Sequence, residues 1–266
     1  MVNFQSIEHY SIDDLLNIMA CLRAPDGCPW DKVQTHQSIR RNMLEEAYEV
    51  CETIDQDDPE HMKEELGDVL LQVVFHAQMA KEEGRFDFDD VVNGICQKLV
   101  FRHPHDFGPA DQKESTTEGA LNTWDAQKMV EKGQKSAADT LDAVARSLPA
   151  LMRAEKVQSK ARKAGFDWDN VEPVLDKVDE EAAELRRAAH GDGDVTEELG
   201  DLLFATVKAG WFLGQDSELA LHAACEKFIR RFRLVEESAG KPLNELNIEQ
   251  LEELWQQAKA HDHDKT

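Results

Sequence analysis

Four carboxylates stand in two short pairs, and the arrangement occurs twice in the chain. Glu46 and Glu49 lie within EEAYE, and Glu65 and Asp68 lie within EELGD. In the second half Glu181 and Glu184 lie within EEAAE, and Glu198 and Asp201 within another EELGD. Residues three apart share a helix face, so two adjacent helices would gather four oxygen-bearing side chains. That set suits a hard divalent cation such as Mg2+, which takes oxygen ligands and keeps part of its water. Mn2+ is the expected substitute. Without a cation the four charges would repel one another. The chemistry that follows is metal-dependent work on nucleotide phosphates.

Helical periodicity positions these groups. Ile39, Met43, Ala47, Val50, Cys51 and Ile54 form one apolar stripe, with Glu46 roughly 60° and Glu49 roughly 120° from its centre. Glu45 and Glu52 fall on the far side and read as a solvated face. The second acidic helix is apolar almost all round from Leu66 to Ala80, a pattern expected of a buried helix. Glu65 and Asp68 share its narrow polar strip with Gln72 and His76. Carboxylates on such a helix must be paired or hold a metal, because stripping water from a lone charge is costly.

The rest of the chain narrows the class. Its 266 residues allow one large domain or two modest ones. A formal net charge of −24 argues against a nucleic-acid polymer as partner, while a mononucleotide needs only a local Lys and Arg cluster. No signal peptide is expected, since Asp13 and Asp14 interrupt the first apolar run. No stretch approaches the ~20 apolar residues of a membrane span. Five scattered cysteines without a CxxC suggest reduced thiols in the cytoplasm.

Strand signals are scarce, so an all-α fold is expected. A helix over 11–23, capped by Ser11, leads to the loop APDGCPWD (24–31). The two acidic helices follow, with a DQDDPE turn between them. A helix to Leu99 is closed by RHPHDFG (102–108), where His103 and His105 read as turn formers rather than ligands. A polar, irregular stretch is expected at 109–119, then helices near 120–132 and 138–147. GCPWD (27–31) matches GFDWD (165–169), the acidic pairs match, and Lys98 and Arg102 match Lys227 and Arg231. WDAQK (124–128) matches WQQAK (255–259). The apolar register matches too, Met43, Ala47, Val50 and Ile54 against Val178, Ala182, Leu185 and Ala189, and five matches in one order mean a duplicated helical module, divided here as residues 1–135 and 136–266. Lys and Arg one turn apart can neutralise phosphate charge, Arg with bidentate geometry. A tryptophan can stack on a base, although Trp30 and Trp168 equally suit core anchoring.

The module resembles the MazG family of nucleoside triphosphate pyrophosphohydrolases. GCPWD, EELGDVLLQVVFHA and RHPH resemble the first half of its two-domain bacterial members, and GFDWD, EELGDLLFATV and KFIRRF the second. Asp106 departs from the family pattern, which has an apolar residue there. The resemblance implies an all-α fold related to dimeric dUTPases, a Mg2+ requirement, and a homodimer, which large apolar faces such as 198–213 also suggest. It implies cleavage of NTPs and dNTPs between the α and β phosphates, giving the monophosphate and pyrophosphate. Carried over by motif, the metal ligands are Glu181, Glu184, Glu198 and Asp201. The nucleotide contacts are Lys177, Lys227, Arg231, Trp255 and Lys259. Glu46, Glu49, Glu65 and Asp68 form a possible second metal site.

The resemblance places catalysis in the C-terminal half. Lys177, one turn before Glu181, agrees, because Asn42 stands at the matching place. Lys63 before Glu65 points the other way, since Thr196 is its counterpart. In the expected mechanism Glu180 or Glu181 takes the proton of a metal-bound water, and Lys177 contacts phosphate. Lys227 and Arg231 stabilise charge on the departing pyrophosphate. A di-iron carboxylate protein would want Glu-x-x-His motifs, and a P-loop NTPase needs GxxxxGK[ST]; neither occurs. The alternative from another class is a non-catalytic nucleotide-binding or scaffold protein of the same fold.

Overall fold

The computed structural model describes residues 7–109, 113 and 116–263. Among them there are helices and turns and no strand, so the fold is all-α. The chain divides into two compact units, the first ending at Lys128 and the second starting at Met129. No helix of the described residues is long and apolar enough to cross a membrane.

The first unit holds α1 (Ile12–Arg23), α2 (Arg40–Asp55), α3 (Pro59–Glu82), α4 (Phe88–Arg102), the short α5 (Pro104–Phe107) and the start of α6 (Thr117–Glu131). Ser11 caps α1 reciprocally: its hydroxyl accepts from the Asp14 N–H while the Asp14 carboxylate accepts from the Ser11 N–H. The turn into α3 needs a left-handed residue, supplied by Asp57 at φ 53. Asp58 then caps α3 and Pro59 opens it, where a missing N–H costs nothing. Helices α1, α2 and α4 all pack on α3. The core between them is Met19, Ile39, Val74, Phe75 and Met79. RHPHDFG ends α4 as expected, with the His103 ring N–H donating to the Leu99 carbonyl at 2.6 Å. The stretch 109–119 lies largely outside the described residues, and α6 already begins at Thr117.

The second unit holds α7 (Ala137–Asp142), α8 (Ala150–Lys163), α9 (Glu172–Ala189), α10 (Val195–Phe212), α11 (Ser217–Ser238) and α12 (Ile248–His263). Helices α8 and α9 pack on α10, and α11 packs on α8 and α12. The order and neighbours of α1–α2–α3 thus return as α8–α9–α10. The helix expected over 138–147 stops at Asp142. The chain turns instead through 143–148. Gly165, at φ 87, takes the left-handed position after α8 and turns the chain into GFDWD.

Two expectations change. On α2 the inward face is Ile39, Met43, Glu46, Val50 and Thr53, whereas Ala47 and Ile54 face solvent. Glu46 therefore lies within the packed face, not beside it. Its counterpart Glu181 lies the same way on α9, between buried Val174 and Ala188. The acidic helices are also less covered than their composition predicts. Leu66 and Leu70 on α3 and Leu199, Leu203 and Phe204 on α10 are exposed. Each helix buries its second half, where α1 or α8 crosses it, and leaves apolar side chains open near its acids.

Candidate metal and nucleotide site

In the second unit α9 and α10 lie side by side and bring Glu181, Glu198 and Asp201 together. One carboxylate oxygen from each falls within 4.8 Å of the others. Glu181 is 5 % exposed. Its Oε1 accepts from the Lys177 ammonium at 2.6 Å, and its Oε2 is buried with no partner. Partial burial, then the charges of Glu184 and Glu181, push the Glu198 carboxyl above the usual carboxylate range. Orphaned oxygen, clustered charge and an all-oxygen donor set fit a hard divalent cation. Hydrogen bonds to Glu181 and Glu180 hold Lys177 firmly in its charged form.

The remaining sequence candidates stand outside this group. Glu184 stays out of it, its Oε1 taken by Arg187 at 2.9 Å. The arginine one turn further on offers a nearer counter-charge than the cluster does. Glu180 is exposed beside Lys177, at 3.1 Å. Lys227 and Arg231 lie on α11 and Trp255 and Lys259 on α12, two helices that pack together. Trp255 rests on Phe228 with ring centroids 5.1 Å apart. None of these four lines the cavity beside the acids.

That cavity is the part the sequence did not disclose. It has a volume of about 510 Å3, and its lining joins Lys177, Glu181 and Asp201 to the apolar side chains of Phe166, Trp168 and Val157. Lys208 closes it from α10, almost fully buried, in an ion pair of 2.5 Å with Asp167. Asp167 also accepts from the Trp168 N–H at 2.9 Å. GFDWD thereby forms a lip braced from below, and Trp168 faces the cavity rather than the core. A lysine inside the apolar run LLFATVKAGWF was the one available signal. Gln158, on α8, carried none.

The first unit repeats the acids with different surroundings. Glu46, Glu49 and Glu65 form the equivalent group within 4.8 Å, with Asp68 outside it. Burial, then Asp68 and Glu49, raise the Glu46 titration, and burial and Glu49 raise that of Glu65. Gln72 donates weakly to Glu46 at 3.4 Å. Where Lys208 stands in the second unit, the first has Phe75, met edge-on by Trp30 at 6.4 Å. His36 and His76 stack nearby, Nδ1 to Nδ1 at 2.8 Å, and burial lowers the His76 titration.

Known proteins resemble the chain throughout. The MazG nucleotide pyrophosphohydrolase domain matches residues 34–107, within the first unit. The nucleoside triphosphate pyrophosphohydrolase of Escherichia coli K12 is 48 % identical over 261 residues, 95 % of this chain and 98 % of that protein. The nucleoside triphosphate pyrophosphohydrolase/pyrophosphatase MazG of Thermotoga maritima is 43 % identical over 253 residues, covering 94 % and 96 %. The Bacillus subtilis protein YabN is 43 % identical over 262 residues, 96 % of this chain and 53 % of its own length.

Proposed function

Since the chain belongs to the MazG family of nucleoside triphosphate pyrophosphohydrolases, we propose that its hydrolysis of NTPs to monophosphate and pyrophosphate takes place in the second unit. The observation that carries this is the cavity of about 510 Å3 that Lys177, Glu181 and Asp201 line together with Lys208, whereas the first unit has Asn42 and Phe75 at the places of Lys177 and Lys208. The functional division is residues 1–135 and 136–266, which keeps α6 whole within the first module.

Glu181, Glu198 and Asp201 hold the divalent cation, with Glu184 as the fourth carboxylate once it leaves Arg187. Mg2+ is the cation of choice and Mn2+ its substitute. The ion supplies Lewis acidity toward phosphate oxygens and lowers the pKa of bound water. Glu180, outside the cluster, accepts the proton of the attacking water as the bond between the α and β phosphates breaks. Lys177, charged and beside Glu181, donates to the triphosphate. Lys227, Arg231 and Lys259, with Trp255, contact the nucleotide from α11 and α12 and offset charge on the departing pyrophosphate. The acids of the first unit form a second metal site without substrate, a nucleotide-independent scaffold role.

The working form is a homodimer in the cytoplasm. Open apolar residues on α10 and α11, including Leu203, Phe228 and Ile229, supply an interface. Free cysteines throughout suit a reducing compartment. Incubation with ATP and Mg2+, with products resolved as AMP and pyrophosphate, tests the site through Glu181→Ala. Retained turnover in that variant would exclude the second unit. A monomer by light scattering would exclude the dimer.

A further inference from the structure

We propose that the basic face of α8 draws the anionic nucleotide toward the cavity, acting on its approach rather than as a contact in the bound state; this rests on the second unit being the catalytic one. The chain has 54 acidic residues against 30 Lys and Arg, so its overall field repels a triphosphate. The acids on α9 and α10 add to that repulsion at the site itself. Against it, α8 carries Arg153, Lys156, Lys160, Arg162 and Lys163 with one acid, Glu155. Positions 153, 156 and 160 follow one another at steps of three and four residues and share a helix face, which Lys163 continues. Arg162 turns elsewhere, its guanidinium 4.2 Å from the centre of the Trp211 ring.

The position of these charges ties them to the site. Val157 and Ala161, which directly follow Lys156 and Lys160, line the cavity with Glu181 and Asp201. The charges therefore stand on a helix that walls the cavity, within about one helix diameter of it, ~10–12 Å. Gln158, buried on the same helix, donates from Nε2 to the Phe204 carbonyl of α10 at 2.7 Å. That bond fixes α8 against its neighbour, and the basic face with it. Arg153 and Lys156 are exposed and Lys160 is half-buried. Among the described residues none of these three enters an ion pair, whereas exposed Lys63 and Arg41 are each met by a glutamate. Cations without a counter-ion keep their field, and such a field raises the local concentration of an anion before any contact forms. The repeat supplies a control. The charged residues of α1, the counterpart of α8, are Asp13, Asp14 and Arg23, and Arg23 is paired with Glu82 at 2.7 Å. The unit that lacks Lys177 and Lys208 lacks the basic face as well.

The test is the salt dependence of kcat/KM for ATP in the full-length protein, at a fixed Mg2+ concentration in excess of the nucleotide. Wild type is compared with the triple variant Arg153→Gln, Lys156→Gln, Lys160→Gln. At about 0.01 M ionic strength, where charges act over about 30 Å, the variant should lose about tenfold in kcat/KM with kcat unchanged. At about 1 M, where the reach is about 3 Å, the two should coincide. The charge-preserving triple Arg153→Lys, Lys156→Arg, Lys160→Arg should follow wild type throughout. Equal kcat/KM at low salt would overturn the proposal. So would a loss that persists at high salt or lowers kcat, since that marks a contact or a packing role instead. Should the glutamine variant fail to fold, Lys156→Glu carries the test as a single exposed reversal, with a low-salt loss of about threefold. Glu181→Ala separates the two levels. If it abolishes turnover while wild type and the triple variant match at low salt, only the steering is wrong; if turnover survives it, the site assignment and the steering fall together.

Discussion

Two units of one chain carry the same carboxylates on the same helix faces and differ in what stands behind them. In the second unit the space beside Glu181 is an open cavity framed by Lys208 and Asp167. In the first unit Phe75 stands at the place of Lys208 and packs into the core with Met19, Ile39 and Val74. A metal group is thus the easy part of a duplicated site to retain. It needs only two helices in register, which the fold demands anyway. The substrate pocket needs a void, and a void costs packing energy.

The hardest test of this contrast removes one carboxylate from each unit. Glu181→Ala should lower turnover by more than the roughly 10- to 100-fold typical of losing an outer partner of a metal site, while Glu46→Ala leaves most of it. The opposite pattern in a pyrophosphate-release assay would reverse the roles of the units. Next in size is Lys177→Ala, expected to slow turnover about ten- to a hundredfold through loss of a charge-assisted phosphate contact. Asn42→Lys, which installs that lysine in the first unit, should change nothing measurable.

Exchanging the residues behind the acids sharpens the comparison further. Lys208→Phe places the first unit's residue in the second and should raise KM about tenfold with kcat nearly steady, the mark of lost uniform binding. Phe75→Lys, its mirror image, should leave kinetics alone and cost about 3 kcal/mol or more in denaturant unfolding, because it empties a packed site and buries a charge.

The smallest effect is one of pH. The Glu198 carboxyl binds its proton more tightly folded than unfolded. Its contribution is therefore present at low pH and lost as pH rises through the raised folded value. Without divalent cation, the melting temperature of Glu198→Gln should gain on wild type as pH climbs from about 4 to about 7. Saturating Mg2+ should close the gap. Glu65→Gln should trace the same curve in the first unit, since the acids there are raised for the same reason.

Much of the frame was legible in the sequence. The repeat, the helix order, the two acidic groups and Lys177 against Glu181 all follow from residue spacing. Spacing did not reveal the rotation of α2 and α9, because Ala47 and Ile54 are as apolar as the residues that turn inward. Nor did it foresee Glu184 turning to Arg187, a contest between two partners within one helix turn. Gln158 was invisible for a different reason. A glutamine on an amphipathic helix looks like surface until the neighbouring carbonyl and the cavity are known.

One ion pair also sets how the site responds to its medium. The Lys208 and Asp167 side chains are 7 % and 18 % exposed, against 86 % and 47 % for the surface pair Arg41–Glu45. Mobile ions screen exposed charges over a Debye length of about 8 Å at physiological ionic strength, and buried pairs far less. Rising salt would weaken the phosphate contact proposed for exposed Lys227 and leave the lip of Asp167 and Trp168 where it is. In concentrated electrolyte the proposed phosphate contact would slacken while the lip beside the acids kept its form.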